Sequence, residues 1–302
     1  MAKLNPNAHL RRDTFSKDIE MVGTRDGYGI GLVEAGEQNE NVVALCGDLA
    51  GSTRTDKFRD AFPERFIQGG IQEQNMVQVA AGLALQGKIP FISTYAVFSP
   101  GRNWDQIRIS CCYNDINVNI AGGHTGISVG PDGATHQAME DVALARVLPR
   151  MTVIVPADME ETRKAVHAAV AIDHPVYFRY ARAASPLFTT EKTPFKVGKA
   201  LKLREGTDVA IIGAGPIIHS ALLAADELIE KGISCRVINS PSIKPLDDDA
   251  MEQAARECGA IVTVEEHQVM GGVGSATAES VAKTYPVPIE FVGKQDSFGE
   301  SG

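Results

Sequence analysis

The 302-residue sequence has no hydrophobic run long enough to cross a membrane and no excess of basic residues. A membrane-spanning helix needs about 20 consecutive apolar residues, and no segment comes near that length. The formal net charge is −9, which argues against nucleic acid or a membrane surface as the main partner. The N-terminal residues MAKLNPNAHLRRDTF lack the apolar core of a signal peptide, so the sequence predicts a cytoplasmic protein.

Cysteine is also scarce. The chain has five cysteines, and only Cys111 and Cys112 are adjacent. They form no Cys-x-x-Cys pair and no histidine pair lies nearby, so the spacing predicts reduced, mostly buried thiols and no zinc site. With 44% apolar and 22% charged residues, the composition is that of a globular protein, and the length allows two domains.

Strand-like and helix-like segments alternate from Thr24 onward. Short apolar runs such as NVVALC predict strands, and longer segments such as DMEETRKAVHAAVAI predict helices. The alternation predicts an α/β fold of two domains, each with a mostly parallel sheet flanked by helices. The predicted parts are an N-terminal arm lying on a partner or on the domain surface (1–20), a first domain (21–185), a linker (186–197) and a second domain (198–302).

Local signals predict two helix starts and exclude one cofactor. Asp158 followed by Glu161 is a capping box, and a second helix is predicted from about His136 to Leu148. The Gly-Ala-Gly turn at 213–215 lacks the third glycine of a dinucleotide site, and no acid ends the next strand. A plain connection from strand to helix is therefore predicted at this turn.

A glycine-rich loop carries His124, Asp132 and His136 after a predicted strand. In open α/β sheets, ligands bind outside the carboxyl ends of the strands. Imidazole and carboxylate groups there can hold sugar hydroxyls and move protons near neutral pH. From the spacing alone, a surface loop whose histidines have no function is an equally good interpretation. The loop contains no His-x-His or His-x-x-x-His pair that would predict a metal site.

Arg25, Ser52 and Arg182 predict an anion site. Arg25 follows Thr24 at the start of the first helix, Ser52 lies in the loop after the strand VVALCGDL, and Arg182 follows the strand PVYFRYA. Guanidinium and hydroxyl groups are common phosphate ligands. A solvated surface charge is the commoner alternative for each arginine taken singly.

Glu73 stands between the strand-like FIQGGI and an Ala/Val/Leu-rich helix that is predicted to be largely buried. An acid at this boundary has two explanations, a chemical role or a favourable interaction with the helix dipole.

Several segments together resemble the C-terminal half of transketolase. They are GIQEQNM, STYAVF, GHTGISVGPDGATHQ, VPADMEE and DSFGESG. The resemblance extends over nearly the whole chain from Thr24 and implies a pyrimidine-binding domain followed by the transketolase C-terminal domain.

The resemblance implies thiamine diphosphate as cofactor. Glu73 falls on the position of the glutamate that contacts N1′ of the aminopyrimidine ring, where a water-poor site strengthens the hydrogen bond. Tyr95 and Phe98 match aromatic residues that stack on that ring. Trp104 is the candidate for a third aromatic, although the intervening SPGR shifts its spacing, and Asp48 matches an acid near the cofactor.

The resemblance also implies phosphorylated sugars as substrates, in a two-carbon ketol transfer. It implies that His124 and His136 bind hydroxyl groups and transfer protons, and that Asp132 holds a sugar hydroxyl. It makes Arg25, Ser52 and Arg182 a clamp for the substrate phosphate.

The Gly-Asp-Gly…Asn motif through which the family holds the diphosphate and Mg²⁺ is not found in the sequence. A separate N-terminal subunit is therefore expected to supply it, in an α2β2 heterotetramer. Two alternatives share the same domains: 1-deoxyxylulose-5-phosphate synthase and the beta subunits of 2-oxoacid dehydrogenases. A catalytically silent scaffold subunit is a third.

Overall fold

The computed structural model describes residues 4–301, so the first three residues of the predicted arm and Gly302 lie outside the description. The strands are β1 Met21–Gly23, β2 Val42–Cys46, β3 Phe66–Gln68, β4 Ile89–Tyr95, β5 Asn119–Gly123, β6 Thr152–Ile154, β7 Val176–Arg179, β8 Ala184–Pro186, β9 Leu201–Arg204, β10 Val209–Gly213, β11 Cys235–Asn239, β12 Ser242–Lys244, β13 Ile261–Gln268 and β14 Ile289–Lys294.

The helices alternate with these strands. They are α1 Thr24–Gln38, α2 Ala50–Thr53, α3 Asp56–Ala61, α4 Glu73–Leu85, α5 Trp104–Gln106, α6 Asp141–Arg146, α7 Met159–Val170, α8 Ile217–Glu230, α9 Asp248–Cys258 and α10 Val273–Thr284. Three 3-10 turns (Pro6–Ala8, Pro63–Arg65, Ala134–His136) and a π-helical stretch (Ile107–Tyr113) complete the helical elements. Within residues 4–301, none of the helices has both the length and the apolar character to span a bilayer.

Two parallel sheets organise the chain. The larger has seven strands in the order β12-β6-β7-β5-β4-β2-β3, all parallel except β12. The smaller has the order β14-β13-β10-β11-β9 and is parallel except for β9. The predicted class, two α/β domains with mostly parallel sheets, is confirmed. One exchange was not predicted: β12 follows β11 in the chain but pairs with the edge of the larger sheet.

The larger sheet is covered on both faces, as a parallel sheet requires. Along β2, Val43 and Leu45 join one hydrophobic cluster, while Val42 and Ala44 join the cluster on the opposite face. This alternation follows from the two-residue period of a strand. Because both faces of the sheet are apolar, polar functional groups are expected at the ends of its strands.

The N-cap half of the predicted capping box is confirmed, whereas the Glu161 carboxylate accepts from the Ala157 N–H and not from Asp158. The helix predicted from His136 to Leu148 is wrong. Asp158 accepts a hydrogen bond from the Glu161 backbone N–H at 3.0 Å, at the start of α7. The other helix, α6, starts only at Asp141. The residues before it are held extended because Ala138 bridges to Thr125, a tertiary pairing that the apolar periodicity does not reveal.

The N-terminal residues pack on the second domain. The Asn5 N–H donates to the Leu203 carbonyl at 2.8 Å, and Ala8 and Ile19 belong to a hydrophobic cluster of the smaller sheet. The His219 imidazole is hydrogen-bonded to the Thr14 carbonyl at 2.7 Å. The described part of the arm is thus a layer on the domain surface.

The five cysteines are free and buried, as predicted. Burial raises the pKa of Cys111 to about 12 and that of Cys112 to about 11, so both are thiols at neutral pH.

Candidate active site

The carboxyl ends of the parallel strands of the larger sheet bring the predicted residues to one edge. Asp48 follows β2, Tyr95 ends β4, His124 follows β5 and Arg182 lies beyond β7. Because β2, β4, β5 and β7 are neighbours and all parallel, their ends meet at the same edge, where α/β sheets bind ligands.

Glu73 is the first residue of α4, and its side chain is only 2% exposed. Its carboxylate oxygen Oε2 accepts a hydrogen bond from Arg102 Nη1 at 2.8 Å, which is a charge-assisted pair. The guanidinium of Arg102 also lies 4.5 Å from the centre of the Phe98 ring. The buried acid is thereby linked to the aromatic group predicted to face the cofactor.

Sequence reasoning missed Arg102, which lies in the SPGR segment. The sequence does contain a signal, because Arg102 follows Phe98 by four residues. In the structure the Arg102 N–H donates to the Phe98 carbonyl at 2.9 Å. This helical turn places a cation on an aromatic face.

Rings continue the site away from Glu73. Tyr95 stacks on His124 with ring centres 3.8 Å apart and lies parallel to Phe98 at 6.0 Å. His136 meets Tyr95 and Phe98 edge-on, at 5.8 and 5.6 Å. The two histidines, twelve residues apart in sequence, thus flank one aromatic pair.

His124 is held as a buried, neutral imidazole. It is 1% exposed, and neither ring nitrogen has a hydrogen-bond partner among residues 4–301. Burial, reinforced by the charges of Arg25 and Arg182, lowers its pKa to about 3. Its backbone φ of 56° lies in the left-handed region, which non-glycine residues rarely occupy and which clusters at functional sites. A ligand with hydroxyl groups would satisfy both nitrogens.

Two close approaches explain why β5 ends in Gly122 and Gly123. A side chain at Gly122 would run into the ring of Tyr177, and one at Gly123 would lie 2.8 Å from the ring of Tyr180. The glycines therefore let Tyr177 of β7 and Tyr180, just after that strand, pack beside the backbone that leads into His124.

Two of the predicted anion residues, Arg25 and Arg182, lie near enough to His124 for their charges to lower its pKa. Arg25 Nη1 donates to the Ser52 carbonyl at 3.2 Å, while its buried Nε has no partner in the described chain. Arg182 Nη1 donates to the Val129 carbonyl at 2.8 Å. Burial and the nearby positive charge of Arg54 lower the pKa of Arg25, although its guanidinium stays charged at neutral pH. An anion would relieve this repulsion.

Three other predicted residues stand apart from this group. Asp132 is half-exposed on its loop, and Asp48 is exposed, with its N–H and carboxylate hydrogen-bonded to Gln68 at 3.1 and 3.3 Å. The Trp104 indole N–H donates to the Leu144 carbonyl at 2.8 Å, and its ring packs against a core cluster. Their roles toward a cofactor or sugar stay predictions. Within the described residues, no cluster of three or more His, Cys, Asp or Glu is arranged to hold a metal ion.

Family comparisons give this edge its context. Residues 20–186 match the family described as "Transketolase, pyrimidine binding domain", and residues 198–302 match "Transketolase, C-terminal domain". The chain belongs to the transketolase family.

Several transketolase relatives are similar over most of their length. One is the 6-deoxy-6-sulfo-D-fructose transketolase subunit SqwH of Clostridium sp. (strain MSTE9), with 41% identity over 95% of this chain and 89% of the relative. Another is an apulose-4-phosphate transketolase subunit of Phocaeicola vulgatus, with 38% identity over 91% of this chain and 88% of the relative. A solved structure titled "Split gene transketolase, inactive beta4 tetramer" has 47% identity, covers 93% of this chain and 92% of that chain, and superposes with a TM-score of 0.87.

Proposed function

We propose that this chain is the C-terminal subunit of a two-chain transketolase. With thiamine diphosphate it would transfer a two-carbon ketol unit from a ketose phosphate to an aldose phosphate. The observation that carries the proposal is the convergence, at one sheet edge, of buried Glu73, the Tyr95–Phe98 pair and the neutral imidazole of His124.

The residues present fit the aminopyrimidine half of the cofactor. Glu73 offers a carboxylate shielded from water, which would hold the proton at N1′ of the ring. Phe98 and Tyr95 offer aromatic faces for stacking. When bound, thiamine diphosphate supplies a carbon nucleophile that carries the two-carbon unit between the sugars. Asp48 and Trp104 are proposed as further cofactor neighbours.

The remaining groups fit a polyhydroxylated anion. His124, neutral at pH 7, can donate to one sugar oxygen and accept from another, and His136 would exchange protons at the reacting oxygens. Asp132 would hold a sugar hydroxyl. Arg25, Arg182 and Ser52 would bind the distal phosphate. The relatives act on a sulfonated and a phosphorylated sugar by name, and a guanidinium pair suits either anion.

A second polypeptide is proposed to complete the site. Two relatives of similar length are named as subunits, and the related split-gene beta chain was solved as an inactive tetramer. We propose that the diphosphate and Mg²⁺ are held by a separate N-terminal subunit, that the assembly is α2β2, and that it works in the cytoplasm. This chain would contribute its pyrimidine-binding domain at 21–185 and its C-terminal domain at 198–302.

Reconstitution tests the proposal. The chain is mixed with the N-terminal subunit of a related split transketolase, thiamine diphosphate and Mg²⁺, and assayed with xylulose 5-phosphate and ribose 5-phosphate. Ketol transfer that requires both chains is expected. Pyruvate with a lipoyl acceptor is the parallel assay, and turnover in that assay alone would replace the proposal by a 2-oxoacid dehydrogenase beta subunit.

A further inference from the structure

The second domain contacts the loop that carries Asp132 and His136. We call residues 126–137 the substrate loop. It is closed at its base by a hydrogen bond from the Gly126 N–H to the Ala138 carbonyl at 2.8 Å. Its inner side faces the aromatic pair and Arg182, and its outer side meets residues that are distant in sequence.

The first contact is made by Glu266 of β13. Its Oε1 accepts hydrogen bonds from the Ser128 N–H at 2.7 Å and from the Ser128 hydroxyl at 2.6 Å. A side chain on Gly126 would approach the Glu266 carboxyl carbon to 2.5 Å, so the loop passes directly over this group. The Glu266 carbonyl is itself held by Arg179 at 2.9 Å.

The second contact is made by residues 299–301, called here the terminal segment. Ser301 Oγ accepts a hydrogen bond from the Ala134 N–H at 3.0 Å, at the first residue of the 3-10 turn that ends in His136. A side chain on Gly133 would lie 2.5 Å from the same oxygen. Gln137, which is buried, donates to the Glu300 carbonyl at 3.4 Å and to the Ile127 carbonyl at 3.1 Å.

We propose that Glu266 and Ser301 are positioning residues that set the conformation of the substrate loop and hence the placement of Asp132 and His136. The inference rests on the proposed function for its catalytic consequence. The second domain thereby has an indirect role in sugar binding. Glu266 and Ser301 contact the substrate loop and are not placed against the sugar.

The physical basis is pre-organisation. A loop with three glycines, at 126, 130 and 133, has many conformations open to it, and ordering it at the moment of binding weakens affinity. Hydrogen bonds to a charged carboxylate are among the stronger ones, and Glu266 makes two of them at one serine. Anchors at both halves of the loop would bear that ordering before the sugar arrives.

The test uses the variants Glu266→Ala and Ser301→Ala with two measurements. Hydrogen–deuterium exchange over residues 126–137 is followed in the complete chain alone. The KM for the sugar phosphates, kcat and the affinity for thiamine diphosphate are measured in the reconstituted enzyme. Glu266→Gln and Ser301→Thr retain an acceptor oxygen and serve as rescue variants. Glu290→Ala and Ser297→Ala, with exposed side chains that make no hydrogen bond to residues 4–301, are the matched controls.

Each alanine variant is expected to speed exchange in the loop and to raise the sugar KM roughly tenfold, while cofactor affinity is unchanged. The rescue variants should recover most of the wild-type KM. Wild-type exchange and KM in both alanine variants would overturn the inference, as would an equal rise in the controls. Faster exchange in a protein that shows no ketol transfer, even as wild type, would support the anchoring and reject the proposed function.

Discussion

Each of the two sheets has an edge where the carboxyl ends of its parallel strands meet, the place where α/β folds bind ligands. One edge forms the candidate site, and the other is covered by the first domain. At the edge of the larger sheet, His124 and Arg25 keep buried polar atoms without partners in the described chain. At the edge of the smaller sheet, called here the docking edge, the equivalent strand ends are turned toward the first domain. The Gly215 N–H donates to the Val155 carbonyl at 3.2 Å, and the Gln268 N–H donates to the Met139 carbonyl at 2.8 Å.

Side chains at the docking edge also make hydrogen bonds, although Asn239 Oδ1 and Gln268 Oε1 have no partner in the described chain. The Asn239 side-chain amide donates to the Glu161 carboxylate of the first domain at 2.8 Å. The Glu265 carboxylate accepts hydrogen bonds from the Val273 and Gly274 N–H groups at 2.9 and 3.0 Å, at the start of α10. Topology therefore locates two places where a ligand could bind.

The two edges differ in which groups lack partners. At the candidate site both nitrogens of the His124 ring have none, whereas Asn239 and Gln268 at the docking edge each keep a hydrogen bond through the amide nitrogen. A buried group with no partner is costly unless a ligand completes it.

Glu73→Ala is expected to have the largest effect at the candidate site. Turnover of the reconstituted enzyme is expected to fall by about 10²–10⁴-fold, the range for loss of one acid–base group. Its partner Arg102 is 48% exposed and can be hydrated, so the midpoint of thermal unfolding should change little. Glu64→Ala, at a 70% exposed position, is the control. Full turnover in Glu73→Ala would favour a scaffold role for the chain.

Asp141→Ala is expected to weaken the contact between the docking edge and the first domain. Its carboxylate accepts from Arg179 Nε at 2.9 Å, and Arg179 also donates to the carbonyls of Ala138 and Glu266, which lie in different domains. Asp141→Ala leaves a buried guanidinium unpaired, so the free energy of unfolding in urea should fall by about 3–5 kcal/mol. The exposed Asp173→Ala is the control, and its free energy of unfolding should stay within about 0.5 kcal/mol of the wild type. An equally small loss in Asp141→Ala would contradict the role given to this pair.

Glu265 makes the docking edge sensitive to pH. Burial raises its pKa from 4.5 to about 7, so the folded state binds more protons than the unfolded state between these values. Its contribution is complete below pH 4.5 and is lost as the pH rises through 7, and amounts to roughly 3 kcal/mol.

The measurement is the wild-type minus Glu265→Gln difference in unfolding free energy, taken at pH 5 and pH 8. A difference is needed because His124 and His267, whose pKa values are lowered by burial, change stability in the opposite direction. The difference should favour the wild type more at pH 5 than at pH 8. An unchanged or reversed difference would show that Glu265 is ionised throughout.

Arg25→Ala is expected to have the smallest effect, confined to one substrate group. Loss of a charge-assisted bond to phosphate amounts to about 1.5–3 kcal/mol, which corresponds to a KM increase of roughly 10- to 150-fold. Unphosphorylated sugars should show no such change. Arg12→Ala, an exposed arginine on the N-terminal layer, is the control. An equal effect on both sugar types would mean that Arg25 acts by supporting the fold.

Element types were predictable where the signal is local. The strands β2 and β5 are apolar runs with a glycine at or just beyond the carboxyl end, and the cap of α7 is a two-residue pattern. The signal fails where pairing is tertiary. The three residues of β12 have no period to detect, and the segment around Ala138 is extended because Thr125 lies beside it.

The site shows the same division. His124, His136 and Arg182 were predicted because they follow strands or a glycine-rich turn, and the fold places the two histidines around one aromatic pair. Arg102 was overlooked because its importance comes from Glu73, which lies at the start of a different helix.

The sequence by itself determined the α/β class, the resemblance to transketolase and the kinds of group that stand at the strand ends, since strand period, capping and motif spacing are properties of neighbouring residues. Only the tertiary structure decided that His124 is neutral, that Glu73 is paired with Arg102 and that the docking edge is closed by the first domain. Those outcomes depend on desolvation and on charges brought together from separate elements, and no local pattern encodes either.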